Sequence, residues 1–308
     1  MIDMLRKAKV GERISAIRKN GLIYYYYKKI YAGKIFKTKP VVCDKEGRLE
    51  LHMLTCERDL ECTMWSLKTF YYFSGIKPRL IIYDDGSLTE DSVSTLTSHF
   101  VNCQIVRRER LDRDIGDFLK AYKMNLEYIN VGSYLGLLKI FGPAYYAKSE
   151  YMLILDSDVL FLNKPKEILE HIAGGTPFYL SDCMDAYTYP MEFLNDLMKI
   201  KMVHKINAGF YFISKNDFDG ILDLGEAYFK KVSQMGHKHK TLWREQTLVA
   251  MNLSKLNAER LGCDYQISKK PVTARTICHH FVSDGSRKNL YREGLRQLRS
   301  TGFIKKIS

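Results

Sequence analysis

The 308-residue chain predicts an α/β domain built on a mostly parallel, mixed sheet with helices on both faces. Short apolar runs rich in Val, Ile, Leu and aromatic residues alternate with longer segments of helical period. Hydrophobic residues make up 46% of the chain, which favours one large core with appended ends over two equal domains. The acids and other polar residues that punctuate the apolar runs fall just beyond their carboxyl ends, the rim on which such sheets bind ligands.

The elements follow in order. Leu51 to Thr55 reads as a strand ending in Thr55-Cys56-Glu57, and Leu60 to Phe73 as a helix. Arg79 to Tyr83 is a second strand, stopped by the turn Asp84-Asp85-Gly86-Ser87. Thr89-x-x-Ser92 opens a helix carrying Val93, Leu96 and Phe100, and Val101 to Val106 is a third strand. Residues 114–148 read as helical and end near Gly142-Pro143, with Lys139 leading into the strand Tyr151 to Leu155. Phe178 to Leu180 is a strand followed by Asp182 and Asp185, and Ile206 to Ile213 is another, with Asn207 the polar residue at its start. Helices follow over about Asn216 to Lys231 and Trp243 to Leu256, the second with Glu245 and Gln246 in its first turn. Thr276 to Val282 closes the sheet and carries His279-His280. Strands and helices alternating in this way call for right-handed crossovers.

The densest chemical signal is Leu153-Ile154-Leu155-Asp156-Ser157-Asp158-Val159-Leu160. Carboxylates inside an apolar run are costly unless a cation or partner compensates. On an extended backbone side chains alternate, so Asp156 and Asp158 point to one side and their oxygens converge on one hard cation, Mg²⁺ or Mn²⁺. The plainer reading is a strand-end turn whose acids face water.

Charge is uneven. Residues 1–39 hold 11 Lys or Arg against 2 acids and residues 286–308 hold 7 against 1, so the net +13 belongs to the ends and the remainder nets −2. Leu5, Ile14, Ile17, Leu22 and Ile23 interleave with Arg6, Lys7, Arg13, Arg18 and Lys19 before a tyrosine run at 24–27, a pattern that suits an anionic membrane surface as well as a helix packed on the body. The expected division is a basic amphipathic segment over 1–39, a catalytic domain over 40–285 and a basic helical tail over 286–308. No nucleic-acid module accompanies the charge, so no nucleic-acid partner is expected. No run of about 18 apolar residues exists and the first residues are charged, which points to the cytoplasm, and the basic ends add a peripheral place on the inner membrane face as the expectation. The seven scattered cysteines form no C-x-x-C and read as reduced thiols. The oligomeric state is left open.

The order Thr55, Ile82-Tyr83-Asp84-Asp85-Gly86-Ser87, Asp156-Ser157-Asp158, Asn207-Ala208-Gly209, Glu245-Gln246, His280-Phe281 resembles a nucleotide-sugar glycosyltransferase of the GT-A fold. It is most similar to the group that holds glycogenin and the lipopolysaccharide galactosyl- and glucosyltransferases, glycosyltransferase family 8, and the resemblance covers roughly residues 50–290. It implies Asp156, Asp158 and His280 as ligands of Mn²⁺ or Mg²⁺. His279, facing the other way on the same strand, is the alternative ligand. For the nucleotide-sugar, a UDP-sugar, it implies Thr55, Cys56, Glu57, Asp84, Asp85, Lys139, Ser157 and Asn207, with phosphate contacts from Gly285, Arg287 and Lys288. The late histidine lacks the family's nearby Lys-Pro, and the family's Asp-Gln pair is Glu245-Gln246. Gln246 would lie near the anomeric carbon in a retaining transfer, whereas an inverting one needs a carboxylate facing the acceptor, for which Asp182 and Asp185 stand ready. The acceptor implied is a glycan or glycolipid. Two other readings fit part of the pattern: a haloacid-dehalogenase-type phosphatase, whose D-x-D normally lies near the start of a chain, and a non-catalytic membrane-surface scaffold.

Overall fold

The computed structural model describes residues 17–121, 135–235 and 243–308. Seven strands form the central sheet: β2 (Leu49–Thr55), β3 (Arg79–Asp84), β5 (Gln104–Val106), β6 (Tyr151–Leu155), β8 (Phe178–Ser181), β9 (Ile206–Ser214) and β10 (Glu259–Arg260). Their spatial order is β10-β8-β9-β6-β2-β3-β5, with β9 antiparallel to both neighbours and every other pairing parallel. Alternating residues of the strands feed two cores, one on each face. Leu51, Leu80, Ile82, Leu153, Phe210 and Phe212 pack on one side. Ile81, Tyr83, Met152, Ile154, Tyr211 and Ile213 pack on the other. Burial on both faces is why these strands read as unbroken apolar runs. The expected mostly parallel, mixed α/β sheet with helices on both faces is what the chain forms.

Local chemistry sets the helix limits. Thr89 caps the helix Glu90–His99 by accepting from the Ser92 N–H at 3.2 Å, as Thr89-x-x-Ser92 predicts. Replacing Thr89 with Ala is expected to lower stability by about 1 kcal/mol, read by urea denaturation. The helix Leu60–Ser74 ends on Gly75 at φ 72°, a left-handed cap that suits glycine. Of the segment 114–148, the helices Arg108–Ala121 and Leu138–Tyr146 are described, and residues 122–134 lie outside the described residues.

Three expectations are corrected. Val101 to Val106 is not one strand: Asn102 takes φ 70° and Cys103 N–H turns back to Phe100 O, so β4 (Phe100–Val101) pairs instead with β1 (Val41–Val42). The closing histidine strand does not join the central sheet. It is β12 (Cys278–His280), held between β11 (Tyr265–Ile267) and β7 (Val159–Phe161) in a sheet of its own. Asp156 and Asp158 do not share an extended strand either, because β6 stops at Leu155 and the Val159 N–H bonds to Asp156 O at 3.3 Å, closing a turn. The turn, rather than strand alternation, brings the two carboxylates together.

The described part of the N-terminal segment and the C-terminal tail pack side by side on the helix Leu60–Ser74. Trp65 Nε1 donates to Ala32 O at 3.0 Å, Tyr31 stacks on Trp65, and Phe303 packs against Phe73 and Trp65. Residues 1–16, with Leu5, Ile14, Arg6, Lys7 and Arg13, lie outside the described residues. Among the described residues no helix is long and apolar enough to cross a membrane.

Candidate metal centre and donor cleft

β2, β3 and β6 run in parallel, so Thr55, Asp84 and Leu155 end at one edge of the sheet, and antiparallel β9 begins at that same edge with Ile206-Asn207. The register sets Leu155 against Phe210, and Asp156 N–H then bonds to Gly209 O at 2.7 Å. Ser66 of the helix Leu60–Ser74 braces the same turn by donating to Asp156 O at 3.2 Å. β12 pairs with β7 so that His280 faces Val159, and Phe281 N–H bonds to Asp158 O at 3.0 Å. Three separate parts of the chain thus meet at one point.

There, ligand atoms of Asp156, Asp158 and His280 all lie within 4.8 Å of one another. His280 Nε2 is 3.0 Å from Asp158 Oδ1 and 3.6 Å from Asp156 Oδ2. Asn207 fixes the imidazole. Its Oδ1 accepts the Gly209 N–H at 2.9 Å, which orients the amide, and then faces His280 Nδ1 at 3.0 Å. Nδ1 therefore carries the proton, and in the neutral ring the lone pair of Nε2 points at the two acids. Two carboxylates and an imidazole held in the ligating tautomer fit a divalent ion, and with two oxygen donors to one nitrogen they fit Mn²⁺ or Mg²⁺. Burial alone would hold His280 in its neutral form, but the Asp158 and Asp156 carboxylates raise its pKa. Burial would raise Asp158; the charges of His280 and Arg287 beside it win and lower it. The neighbouring His279 is a core residue: its Nε2 faces Lys270 O at 2.8 Å, its ring stacks on Phe281, and burial lowers its pKa to about 4.

Two cations border this centre. Lys139 Nζ sits 2.6 Å from Asp156 Oδ1 and 2.7 Å from Glu245 Oε1; burial opposes its charge, but the two carboxylates hold the pKa above the usual lysine range. Arg287 bridges Asp158 Oδ2 at 3.1 Å and Asp59 Oδ1 at 2.8 Å. Asp182 Oδ2 accepts from Asn207 Nδ2 at 2.9 Å and Gln246 Nε2 at 3.2 Å, joining the metal-side amide to the amide of Gln246. Asn207→Ala is expected to weaken Mn²⁺ affinity about 10- to 100-fold by releasing His280, measured by isothermal titration.

A cleft of about 390 Å³ opens over these groups. Of the residues expected for donor, metal and catalysis, Thr55, Cys56, Asp85, Lys139, Asp156, Ser157, Asp158, Asn207, Gln246, His280 and Arg287 line it. Asp182 stands directly behind, through its bonds to Asn207 and Gln246.

Five others lie elsewhere. Asp84 is buried and turned into its own turn, accepting the Gly86 and Leu88 N–H groups with Arg107 at 3.5 Å. Glu57 faces the start of the helix Glu90–His99, accepting from Thr89 N–H and Ser92 Oγ. Gly285 and Lys288 lie on the helix Ser283–Asn289, which places Arg287 rather than themselves in the cleft. Asp185 holds His204 and the Lys205 N–H.

Sequence reading missed Asp59, Arg58 and Ser283, which line the cleft, and the ion-pair role of Glu245. It also gave Gly209 no role of its own beyond the Asn207-Ala208-Gly209 order. A Cβ there would lie inside van der Waals contact of His280 Cε1 and 2.7 Å from Asp156 Oδ2.

No protein-family profile matches the chain, and no curated protein matches it in sequence. Among solved structures the chain is similar to mouse xyloside xylosyltransferase 1 in its apo form, with TM-score 0.52 and 9% identity over 78% of this chain and 98% of that one. It is equally similar, at TM-score 0.52 and 12% identity, to the galactosyltransferase LgtC in complex with donor and acceptor sugar analogs, over 84% of this chain and 96% of that one. The fold is therefore the GT-A α/β fold.

Proposed function

We propose that the chain is a metal-dependent glycosyltransferase that moves a hexose from a nucleotide-sugar, a UDP-sugar, to a glycan or glycolipid acceptor. The observation that carries this reading is the convergence of Asp156, Asp158 and a tautomer-fixed His280 at the carboxyl edge of a GT-A sheet. A bound Mn²⁺ or Mg²⁺ would neutralise the diphosphate as the glycosidic bond breaks. Thr55, Cys56 and Asp85 border the cleft at the ends of the first two strands, where base and ribose would sit. Lys139 and Arg287, each already shared between two carboxylates, are placed to turn to the added negative charge of the phosphates.

Retention of configuration is the favoured outcome. Inversion needs a carboxylate free to take the acceptor proton. Asp182 instead accepts two side-chain amides on one oxygen, and Glu245 is paired with Lys139. Both acids hold neighbours in place, and the amide of Gln246 is left as the polar group under the sugar. The reading places the transfer domain over residues 40–285 and the protein in the cytoplasm at the inner face of a membrane.

Titration of UDP, GDP, ADP and CMP with and without Mn²⁺ tests it. One nucleotide is expected to bind only with metal. Failure of all four under both conditions would overturn the transferase reading and favour the scaffold.

A further inference from the structure

We infer that the two basic ends form one composite surface that docks on an anionic lipid bilayer. Residues 17–39 carry seven Lys or Arg and no acid, and residues 286–308 carry seven against Glu293 alone. Together they hold a surplus equal to the whole net charge of +13. These ends, remote in sequence, are joined in space. Lys39 N–H bonds to Ile307 O at 2.9 Å, and Lys28 Nζ donates to Tyr291 Oη at 2.6 Å. Arg292 donates to Asn20 O, and the Arg299 guanidinium lies 5.0 Å from the Tyr26 ring centre. Folding therefore brings the two basic segments side by side, with Arg287 turned into the donor cleft and Lys28 paired with Glu61.

The N-terminal part of this surface also exposes apolar side chains. In the segment 17–37, Tyr27, Tyr31 and Ile35 turn inward and are buried. Leu22, Ile23 and Ile30 face solvent at 66%, 51% and 55% exposure. Arg18, Lys19, Lys29, Lys34 and Lys37 are exposed around them, and Arg296, Arg299, Lys305 and Lys306 continue the charge on the tail. Beside the seam, Val41, Val42, Tyr72, Ile307, Lys39 and Lys77 line a groove of about 330 Å³.

Large aliphatic side chains gain by leaving water only if the partner offers an apolar phase, and the lysines and arginines gain only if it offers anions. An anionic bilayer supplies both at once, aliphatic chains beneath a charged headgroup layer. A nucleic-acid backbone supplies the charge without the apolar phase. The tail begins at the helix that sets Arg287 in the donor cleft.

The test is co-sedimentation of the full chain with phosphatidylcholine vesicles, with or without about a third phosphatidylglycerol, in the absence of nucleotide. Sedimentation is expected only with the anionic vesicles and is expected to fall as salt rises. The triple change Lys19→Glu, Lys29→Glu, Lys34→Glu is expected to weaken binding about a hundredfold or more. Leu22→Ser, Ile23→Ser, Ile30→Ser together are expected to weaken it at least about tenfold. Unchanged Mn²⁺-dependent nucleotide binding in both variants shows that they fold. The surface is overturned if the wild type ignores anionic vesicles, if it binds neutral ones as well, if either triple variant binds like wild type, or if a short RNA duplex outcompetes the vesicles. Vesicle binding without any nucleotide binding would instead retire the transferase reading and leave this surface standing.

Discussion

Asp158→Asn is expected to abolish metal-dependent nucleotide binding and to lower transfer by about a thousandfold or more. Asp158 is buried and meets His280 Nε2 at 3.0 Å and the Arg287 guanidinium at 3.1 Å. These two neighbours lower its pKa against the cost of burial, so it offers a carboxylate to a metal. The amide keeps the shape and removes the charge. It leaves one anionic ligand where two stood, and it presents an N–H donor toward either the ion or Arg287. Isothermal titration of Mn²⁺ and of nucleotide with Mn²⁺ reads the first loss, and sugar release from the donor reads the second. Near-wild-type metal affinity in this variant would show that the three-residue cluster is not the metal centre. Lys139→Met separates charge on the donor from metal binding: it removes the cation beside Asp156 but no ligand, so metal binding survives while donor affinity falls.

Much of the fold was legible because it rests on local signals. The apolar runs at 49–55, 79–84, 151–155 and 206–214 are strands buried on both faces, and a strand buried on both faces needs no alternation to be recognised. The Asp156 and Asp158 pair was visible for the opposite reason, as charge placed where only charge with a partner survives, although the turn that joins them was not. The misreadings have physical causes too. Val101 to Val106 has strand composition throughout, and only the left-handed backbone of Asn102 divides it between two sheets. Asp84 precedes Asp85-Gly86-Ser87, and an aspartate before such a turn commonly bonds the backbone amides of the turn, as it does to Gly86 and Leu88. That signal was present and outweighed by position at a strand end.

Other features had no local signature. Asp59 enters the cleft because Arg287, from the far end of the chain, reaches it. Glu245 matters through Lys139, which sits on a helix from a different part of the chain. The choice between His279 and His280 needed the pairing partner of their strand: pairing with β7 sets His280 beside Asp158 and turns His279 into the core. Contacts between distant segments, each ordinary by itself, complete the site.

Gly209→Ala is expected to do nearly as much damage as loss of a ligand, although the residue has no functional group. Gly209 lies within β9 with its N–H bonded to Asn207 Oδ1 and its carbonyl to Asp156 N–H. A methyl group there collides with His280 Cε1 and comes 2.7 Å from both His280 Nδ1 and Asp156 Oδ2. None of the three is the loose end of a flexible chain. The imidazole is fixed by Asn207 and by β12, and Asp156 is held by its turn and by Lys139. The strand cannot retreat either, because β6 and β8 flank it on both sides. Relief requires the ring or the carboxylate to leave the ligating position, so Mn²⁺ affinity should fall by about a hundredfold or more, with stability lowered by about 1–3 kcal/mol. Gly220→Ala supplies the control. It lies in the helix Lys215–Gln234, where a Cβ would be 3.7 Å from Asn252 Oδ1, an ordinary contact. That change should raise stability by about 0.5–1 kcal/mol through helix propensity and leave metal binding untouched. Urea denaturation and Mn²⁺ titration on both variants separate the two effects. If Gly209→Ala binds Mn²⁺ like wild type, the imidazole and the carboxylate do not meet the ion where this geometry puts them.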